Sequence, residues 1–176
     1  MDNYFDLYNL LVSFAPDPAL VKTKFYELSR LYHPDRFAQA NATAQAEALR
    51  MAALNNDAYK TLSKPDATMA YILRLNGLLE DEERYKLPPA FLMEMMDLNE
   101  LLSEYEMNPA DQDMKQQIAH SLENYLAEWE QEIRLLTKKY DAGEHTQELL
   151  LKIKDYYFRK KYLLRIQQRI DTFAAR

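Results

Sequence analysis

Between Ile118 and Tyr140 the apolar and aromatic side chains Ile118, Leu122, Tyr125, Trp129, Ile133, Leu136 and Tyr140 recur at steps of four and three. That spacing follows the 3.6-residue helical turn and not the two-residue alternation of a strand. The segment therefore buries its apolar side chains as one face of a long helix, and a long helix needs others to lie against. Gly143 supplies the C-terminal cap. Beyond it, from about Glu144, Leu149, Tyr156, Leu163 and Ile170 interleave with Arg159, Ile166 and Phe173 at heptad spacing, which predicts a second long helix. Upstream, Pro88-Pro89 pre-organises a helix start, so a shorter helix is expected over Pro89 to Glu106, with Pro109 starting the long one. Two long helices and a shorter one imply an antiparallel three-helix bundle over residues 89–176.

The amino-terminal part follows the same period in shorter pieces. A first helix is expected from Tyr4 to Leu11, closed by Pro16 and Pro18. A second runs from Ala19 to Tyr32 with Val21, Phe25, Leu28 and Tyr32 on one face and Lys22, Lys24 and Arg30 elsewhere. Pro34 ends it. A third, Thr43 to Leu62, aligns Met51, Leu54, Ala58 and Leu62, and a fourth runs from Pro65 to Asn76 ahead of Gly77. Strand alternation is absent, so the whole chain reads as all-α. The organisation expected is a four-helix domain at 1–76, a charged linker at 77–88 and the bundle.

Composition removes whole classes of function. With only two glycines among 176 residues there is no material for a Gly-rich phosphate loop, which excludes P-loop and Rossmann chemistry. Without cysteine there is no disulfide framework, thiolate nucleophile or cysteine metal site in this chain. The acidic start, Met1-Asp2-Asn3-Tyr4-Phe5-Asp6, is unlike a signal peptide, and no apolar run approaches the ~18 residues of a membrane helix. A cytoplasmic protein without a membrane partner is the expectation. A net charge of −6 argues against a general nucleic-acid binder. The charge is uneven: residues 89–143 sum to −8 and 144–176 to +4, which suggests neighbouring helices of complementary charge.

The most informative residues are His33-Pro34-Asp35, between the second and third helices. Proline stiffens the turn, so His33 and Asp35 are expected to be held apart at a helix end, pointing outward. Asp35 can then accept charge-assisted hydrogen bonds from a partner's arginine, and the basic helix before it attracts an acidic surface. The plainer alternative is that Pro34 ends one helix and Asp35 caps the next. Downstream stand Asn56, Ala58, Tyr59, Leu62 and Pro65. Together these residues resemble the J domain of DnaJ-type co-chaperones, in which His-Pro-Asp joins helices two and three above an Asn-x-Ala-Tyr-x-x-Leu-x-x-Pro run. The resemblance covers about the first 75 residues. Arg36 stands where J domains commonly have lysine, which keeps the charge but not its geometry. No Gly/Phe-rich segment or Cys-rich zinc region follows, so the C-terminal half must define the client.

In the first bundle helix, Phe91, Met95, Leu98, Leu102 and Tyr105 fall on one stripe, which leaves Leu92, Met93 and Met96 on the opposite side among Asp97, Glu100 and Glu104. A second apolar stripe suits either a helix sandwiched between neighbours or an adaptable protein-binding surface. Ala90-Phe91-Leu92-Met93-Glu94, placed after a J domain and a charged linker, is similar to the HscB family, J-type co-chaperones of iron–sulfur cluster biogenesis. That resemblance implies a J domain that binds a DnaK-like chaperone, HscA in many bacteria, and stimulates its ATPase through His33, Pro34 and Asp35, with Lys22, Lys24, Arg30 and Arg36 around them. It implies a bundle that binds the cluster scaffold IscU through Leu92, Met93, Met96, Asp97, Glu100, Glu104 and Tyr162. Met96 and Asp97 stand where relatives can have leucine and glutamate. The paired cysteines that precede the J domain in eukaryotic members are missing, which favours the bacterial type. The reading is a non-enzymatic co-chaperone with no catalytic residues, metal or cofactor.

Other chemistry is thin. His120 and His145 each have a glutamate at i+3, Glu123 and Glu148, but no second histidine nearby, and read as surface histidines. Glu128, Glu130 and Glu132 lack the burial that acid–base catalysis requires. The run Arg159-Lys160-Lys161 among Tyr156, Tyr157 and Tyr162 could bind single-stranded nucleic acid, but most of those aromatics fall on the core stripe and the acidic helix is the nearer partner. Nucleic acid is therefore the lesser alternative, beside a J-domain adaptor with another client.

Overall fold

The structure is a computed structural model that describes residues 3–174, and every regular element among them is helical. It comprises two compact units. The first runs through Leu79 and includes Tyr140–Gly143; the second comprises Glu80–Lys139 and the chain from Glu144 onward. Residues 77–88, expected as a linker, thus divide between them.

In the first unit, α1 (Tyr4–Leu7) opens at Asn3, whose side chain accepts the Asp6 N–H, and stops four residues short of the expected Leu11. Asn9 takes a φ of 52° and the Leu10 N–H turns back to the Phe5 carbonyl, a left-handed stop that asparagine tolerates better than most residues. Helix α2 (Pro18–Leu31) is capped by Asp17 and followed by a 3₁₀ turn, Pro34–Phe37. Helix α3 (Ala42–Leu62) is capped by Asn41, and α4 (Pro65–Leu75) ends ahead of Gly77, whose φ of 67° only glycine adopts freely.

Phe5, Tyr8, Val21, Met51, Ala58, Leu62, Ile72 and Leu73 form much of this unit's core. Of the stripe expected on α2 only Val21 is fully buried, and Phe25 instead stacks on Tyr59 at 4.3 Å. On α3 the buried register is Met51, Asn55, Ala58 and Leu62, with Leu54 half-buried. A polar residue thus occupies a core position. The Tyr8 hydroxyl donates to Asn55 Oδ1 (2.9 Å) and to its carbonyl (3.1 Å), while Asn55 Nδ2 donates to the Phe25 carbonyl and Ser29 Oγ, both at 3.0 Å. This network ties α2 to α3 one turn before His33. The loop after α1 is fixed by Asp141, which accepts from Ser13 Oγ (2.8 Å) and the Phe14 N–H (2.9 Å), while Phe14 packs edge-on to Tyr140.

The second unit contains four helical segments where three are expected, because the first bundle helix is two pieces, α5 (Pro89–Glu94) and α6 (Met96–Met107). Met95 closes α5 by donating to the Phe91 carbonyl and opens α6 by accepting the Asn99 N–H. The Asn99 side chain adds a second donor to the same carbonyl at 2.7 Å. The long helix α7 (Gln112–Asp141) begins three residues after Pro109, since Asp111 accepts the Met114 N–H and acts as the cap. Helix α8 (Gln147–Ala174) likewise begins after the expected Glu144, because Thr146 Oγ1 accepts the Leu149 N–H. Phe91, Met95, Leu98, Leu102, Tyr105, Ile118, Leu122, Leu163, Ile166 and Ile170 form one core cluster across α5 to α8.

Residues 80–88 lie against α8. Tyr85 stacks on Phe158 at 4.4 Å and donates to Asp155 Oδ1, and Glu83 pairs with Lys154. The basic residues of α8 find carboxylate partners both within the helix and, as the charge pattern suggests, on the acidic segment. Arg159 pairs with Asp155, Lys152 with Glu148 and Arg169 with Glu106 of α6, whereas α7 meets α8 through a Tyr156 hydroxyl bonded to Glu132 and an indole bond from Trp129 to the Tyr156 carbonyl.

Candidate functional site

The turn after α2 buries none of its side chains fully: Phe37 is half-buried, and His33, Pro34, Asp35 and Arg36 are exposed. Tyr32 ends the helix, and His33, in extended backbone, becomes the cap of the 3₁₀ turn: its Nδ1 accepts the Asp35 N–H at 3.3 Å. That role places the proton of a neutral imidazole on Nε2. The Asp35 carboxylate lies 3.7 Å from the same Nδ1, with its side chain 91% exposed. The two groups are therefore not held apart, as the stiff proline suggests. The tight turn brings both to one corner, where they face solvent together. Nor does Asp35 cap the next helix: Asn41 does so, accepting the Ala44 N–H at 2.9 Å.

The surrounding cations differ in their placement. Arg36 donates to the Arg30 carbonyl at 3.2 Å, which folds its guanidinium back onto the last turn of α2, while Arg30 is exposed on that same turn. Lys22 is exposed and, at about 100° per residue, roughly 80° around α2 from Arg30. Lys24 lies on another side, half-buried and paired with Glu27 at 2.8 Å, so its charge is answered within the helix.

In the second unit the α5–α6 segment has two apolar faces. Phe91, Met95, Leu98, Leu102 and Tyr105 are buried, whereas Leu92, Met93 and Met96 are 42%, 69% and 55% exposed. The sandwiched alternative does not apply to these three side chains, which meet solvent. Met96, Asp97, Glu100 and Glu104 fall within about 100° of one another around α6, all exposed, so the carboxylates rim the apolar patch. Tyr162 is only partly exposed. It packs edge-on against Phe91 at 5.6 Å, and its hydroxyl accepts from Asn99 Nδ2 at 2.7 Å.

Three residues to which the sequence reading gives no part in this face shape it. Asn99 bonds both Met95 and Tyr162, the Tyr125 hydroxyl donates to the Glu94 carbonyl at 3.1 Å, and the Arg159 guanidinium lies over the Phe91 ring at 5.2 Å while paired with Asp155. Burial, reinforced by Asp97, Glu94 and Glu128, raises the Tyr125 hydroxyl above its usual range, so it stays a neutral donor at the end of α5. Only cross-helix geometry reveals these roles, although Asn99 inside a helix is itself a weak signal.

The remaining candidates are placed differently. His120 lies 3.4 Å from Asn124, and among the described residues no group of three or more His, Cys, Asp or Glu could hold a metal. Lys160 sits over Trp129, and Lys161 over Tyr157 and Phe158, so these rings already carry cations of the same chain. No described helix is long and apolar enough to cross a membrane.

A family model described as the HSCB C-terminal oligomerisation domain matches residues 87–171. The co-chaperone protein HscB homolog of Vibrio vulnificus is 40% identical over 103 residues, a match that spans 58% of this chain and 60% of that protein. The corresponding protein of Shewanella pealeana is 33% identical over 146 residues, covering 82% and 84% of the two chains. The solved structure of chaperone HscB from Vibrio cholerae superposes with a TM-score of 0.70 at 25% identity, covering 97% of this chain and 96% of that one. A shared third of positions over most of one relative's length, with the same helical fold, decides the matter: the chain belongs to the HscB family of co-chaperone proteins.

Proposed function

We propose that this protein is a non-enzymatic co-chaperone that binds an iron–sulfur scaffold of the IscU kind through the α5–α6 face and presents it to a DnaK-like chaperone of the HscA kind. The His33-Pro34-Asp35 corner, with Arg30, Arg36 and Lys22 about it, engages that chaperone and favours its hydrolysing conformation. Its effect on rate comes from binding that conformation more tightly than the other. Lys24 is the weakest member of the set, because Glu27 already answers its charge.

The observation that carries the reading is the exposure of Leu92, Met93 and Met96 directly beside the buried Phe91 and Met95. Large apolar side chains that contribute nothing to their own core, rimmed by Asp97, Glu100 and Glu104, have the form of a protein-binding patch. Tyr162, held by Phe91 and Asn99, supports the patch from its flank and contributes its exposed edge.

The test replaces Leu92, Met93 and Met96 together by alanine. Because the three sit outside the core, helicity and the thermal midpoint should scarcely move, while scaffold affinity in a calorimetric titration should fall by about 2 kcal/mol or more. In a parallel arm, His33→Gln or Asp35→Asn should abolish ATPase stimulation and leave scaffold binding intact. A stable triple variant that still binds fully would place the contact elsewhere, and normal stimulation by the loop variants would refute the role given to the turn.

A further inference from the structure

Methionine makes the α5–α6 patch chemically distinctive. Met51, Met69 and Met95 are buried and Met114 is half-buried, whereas Met93, Met96 and Met107 are exposed. Among the described methionines, two of these three exposed thioethers lie within four residues of the exposed Leu92. Between them in sequence lies Met95 at 0% exposure, a built-in reference of the same chemistry.

We propose that Met93 and Met96 form an oxidation site, at which a peroxide converts the thioethers to sulfoxides and thereby weakens binding at this face. The proposal rests on the reading above that the face binds the scaffold. In the step, a lone pair on Sδ attacks one oxygen of hydrogen peroxide, the O–O bond breaks and an S–O bond forms. The departing hydroxide takes up the proton, so thioether and peroxide give sulfoxide and water, and sulfur loses two electrons. Access to sulfur governs such a reaction, so Met93 and Met96 react where Met95 does not.

The surroundings determine what the new oxygen does. A sulfoxide oxygen is an acceptor that must be given a donor when an interface covers it. The charged groups along α6, Asp97, Glu100 and Glu104, are carboxylates and only accept, and the Arg159 guanidinium over Phe91 is paired with Asp155. The side-chain amide on this stretch of α6, Asn99 Nδ2, already donates to the Met95 carbonyl and the Tyr162 hydroxyl, both at 2.7 Å. The oxidised patch therefore carries an acceptor without a local donor where the parent carries apolar, adaptable sulfur. Reduction of the sulfoxide returns the original surface.

The experiment treats the full chain with hydrogen peroxide, maps sulfoxides by mass spectrometry, and titrates the IscU-type scaffold calorimetrically before treatment, after it, and after methionine sulfoxide reductases. Sulfoxide at Met93 and Met96 but not Met95 is expected, with scaffold affinity about tenfold lower and an unchanged thermal midpoint, restored by the reductases. Met107→Leu should respond to peroxide as the parent does. Met93→Leu/Met96→Leu should lose the response, read as the ratio of treated to untreated affinity. Undiminished binding by protein oxidised at both positions would overturn the proposal, as would loss of the response in Met107→Leu. If the untreated parent fails to bind the scaffold at all, the functional reading itself fails and takes this inference with it; binding without a peroxide response removes the inference alone.

Discussion

Replacing Asn55 by leucine keeps nearly the same volume in the core of the first unit while deleting three hydrogen bonds at once. Nδ2 no longer reaches the Phe25 carbonyl or Ser29 Oγ, and the Tyr8 hydroxyl loses Oδ1. At about 1 kcal/mol net for each bond, the loss is about 3 kcal/mol. Part of it returns, since the Tyr8 hydroxyl keeps the Asn55 backbone carbonyl at 3.1 Å and Ser29 Oγ keeps its own bond to Phe25. The expected destabilisation is about 2 kcal/mol. Tyr8→Phe removes the other end of the shared bond and leaves Oδ1 without its donor, at a cost of about 1 to 2 kcal/mol. Because the Tyr8–Asn55 bond can be lost only once, the double variant should be less destabilised than the two single changes together, by about 1 kcal/mol. Native-state hydrogen exchange suits the measurement, since it reads the first unit's amides separately from the second's. Exchange should accelerate around Phe25 to His33, where the network holds the last turns of α2, and not in α7. Strict additivity, or a neutral Asn55→Leu, would show that the network does not hold α2 to α3.

Two further outcomes follow from the second unit. The Tyr105 hydroxyl is buried without a hydrogen-bond partner among the described residues, so Tyr105→Phe should raise stability by about 1 kcal/mol in chemical denaturation, and a loss of stability would mean that the hydroxyl is satisfied in solution. The bond from Lys154 holds the Glu83 carboxyl below its ordinary value of 4.5, so the stability it contributes is present above that pH and is lost as pH falls through the depressed folded value. Glu83→Gln should therefore flatten the acid limb of the unfolding curve measured on the second unit's amides, and an unchanged limb would remove the pair from the account.

What the sequence makes legible here depends on whether a residue's role is local. The apolar periods identify Phe91, Met95, Leu98, Leu102 and Tyr105 as one buried stripe and leave Leu92, Met93 and Met96 outside it, and all eight are placed so. Helix ends are less legible, because a proline and a polar cap compete for the same start. Asp111 prevails over Pro109, since a side chain that satisfies a free N–H does more than a preset φ alone, and the last helix starts where the Thr146 hydroxyl can accept such an N–H. The break at Met95 cannot be read from periodicity, because the stripe continues through it with both faces in register. Least legible are polar residues whose partners lie far along the chain. Asn55 looks like a member of the Asn-rich segment that carries the J-domain resemblance, yet its partners are Tyr8, Phe25 and Ser29; Asn99 looks like a neutral surface residue, yet its partner is Tyr162. A side chain with both donor and acceptor has no preferred periodic position, so its burial is settled only once the helices meet. For the patch this has a direct consequence. The residues that give it apolar area are written in the helical period, while the contacts that fix its shape, made by Asn99, Tyr125 and Arg159, are written only in three dimensions. A related sequence could therefore keep Leu92, Met93 and Met96 and still present a different face.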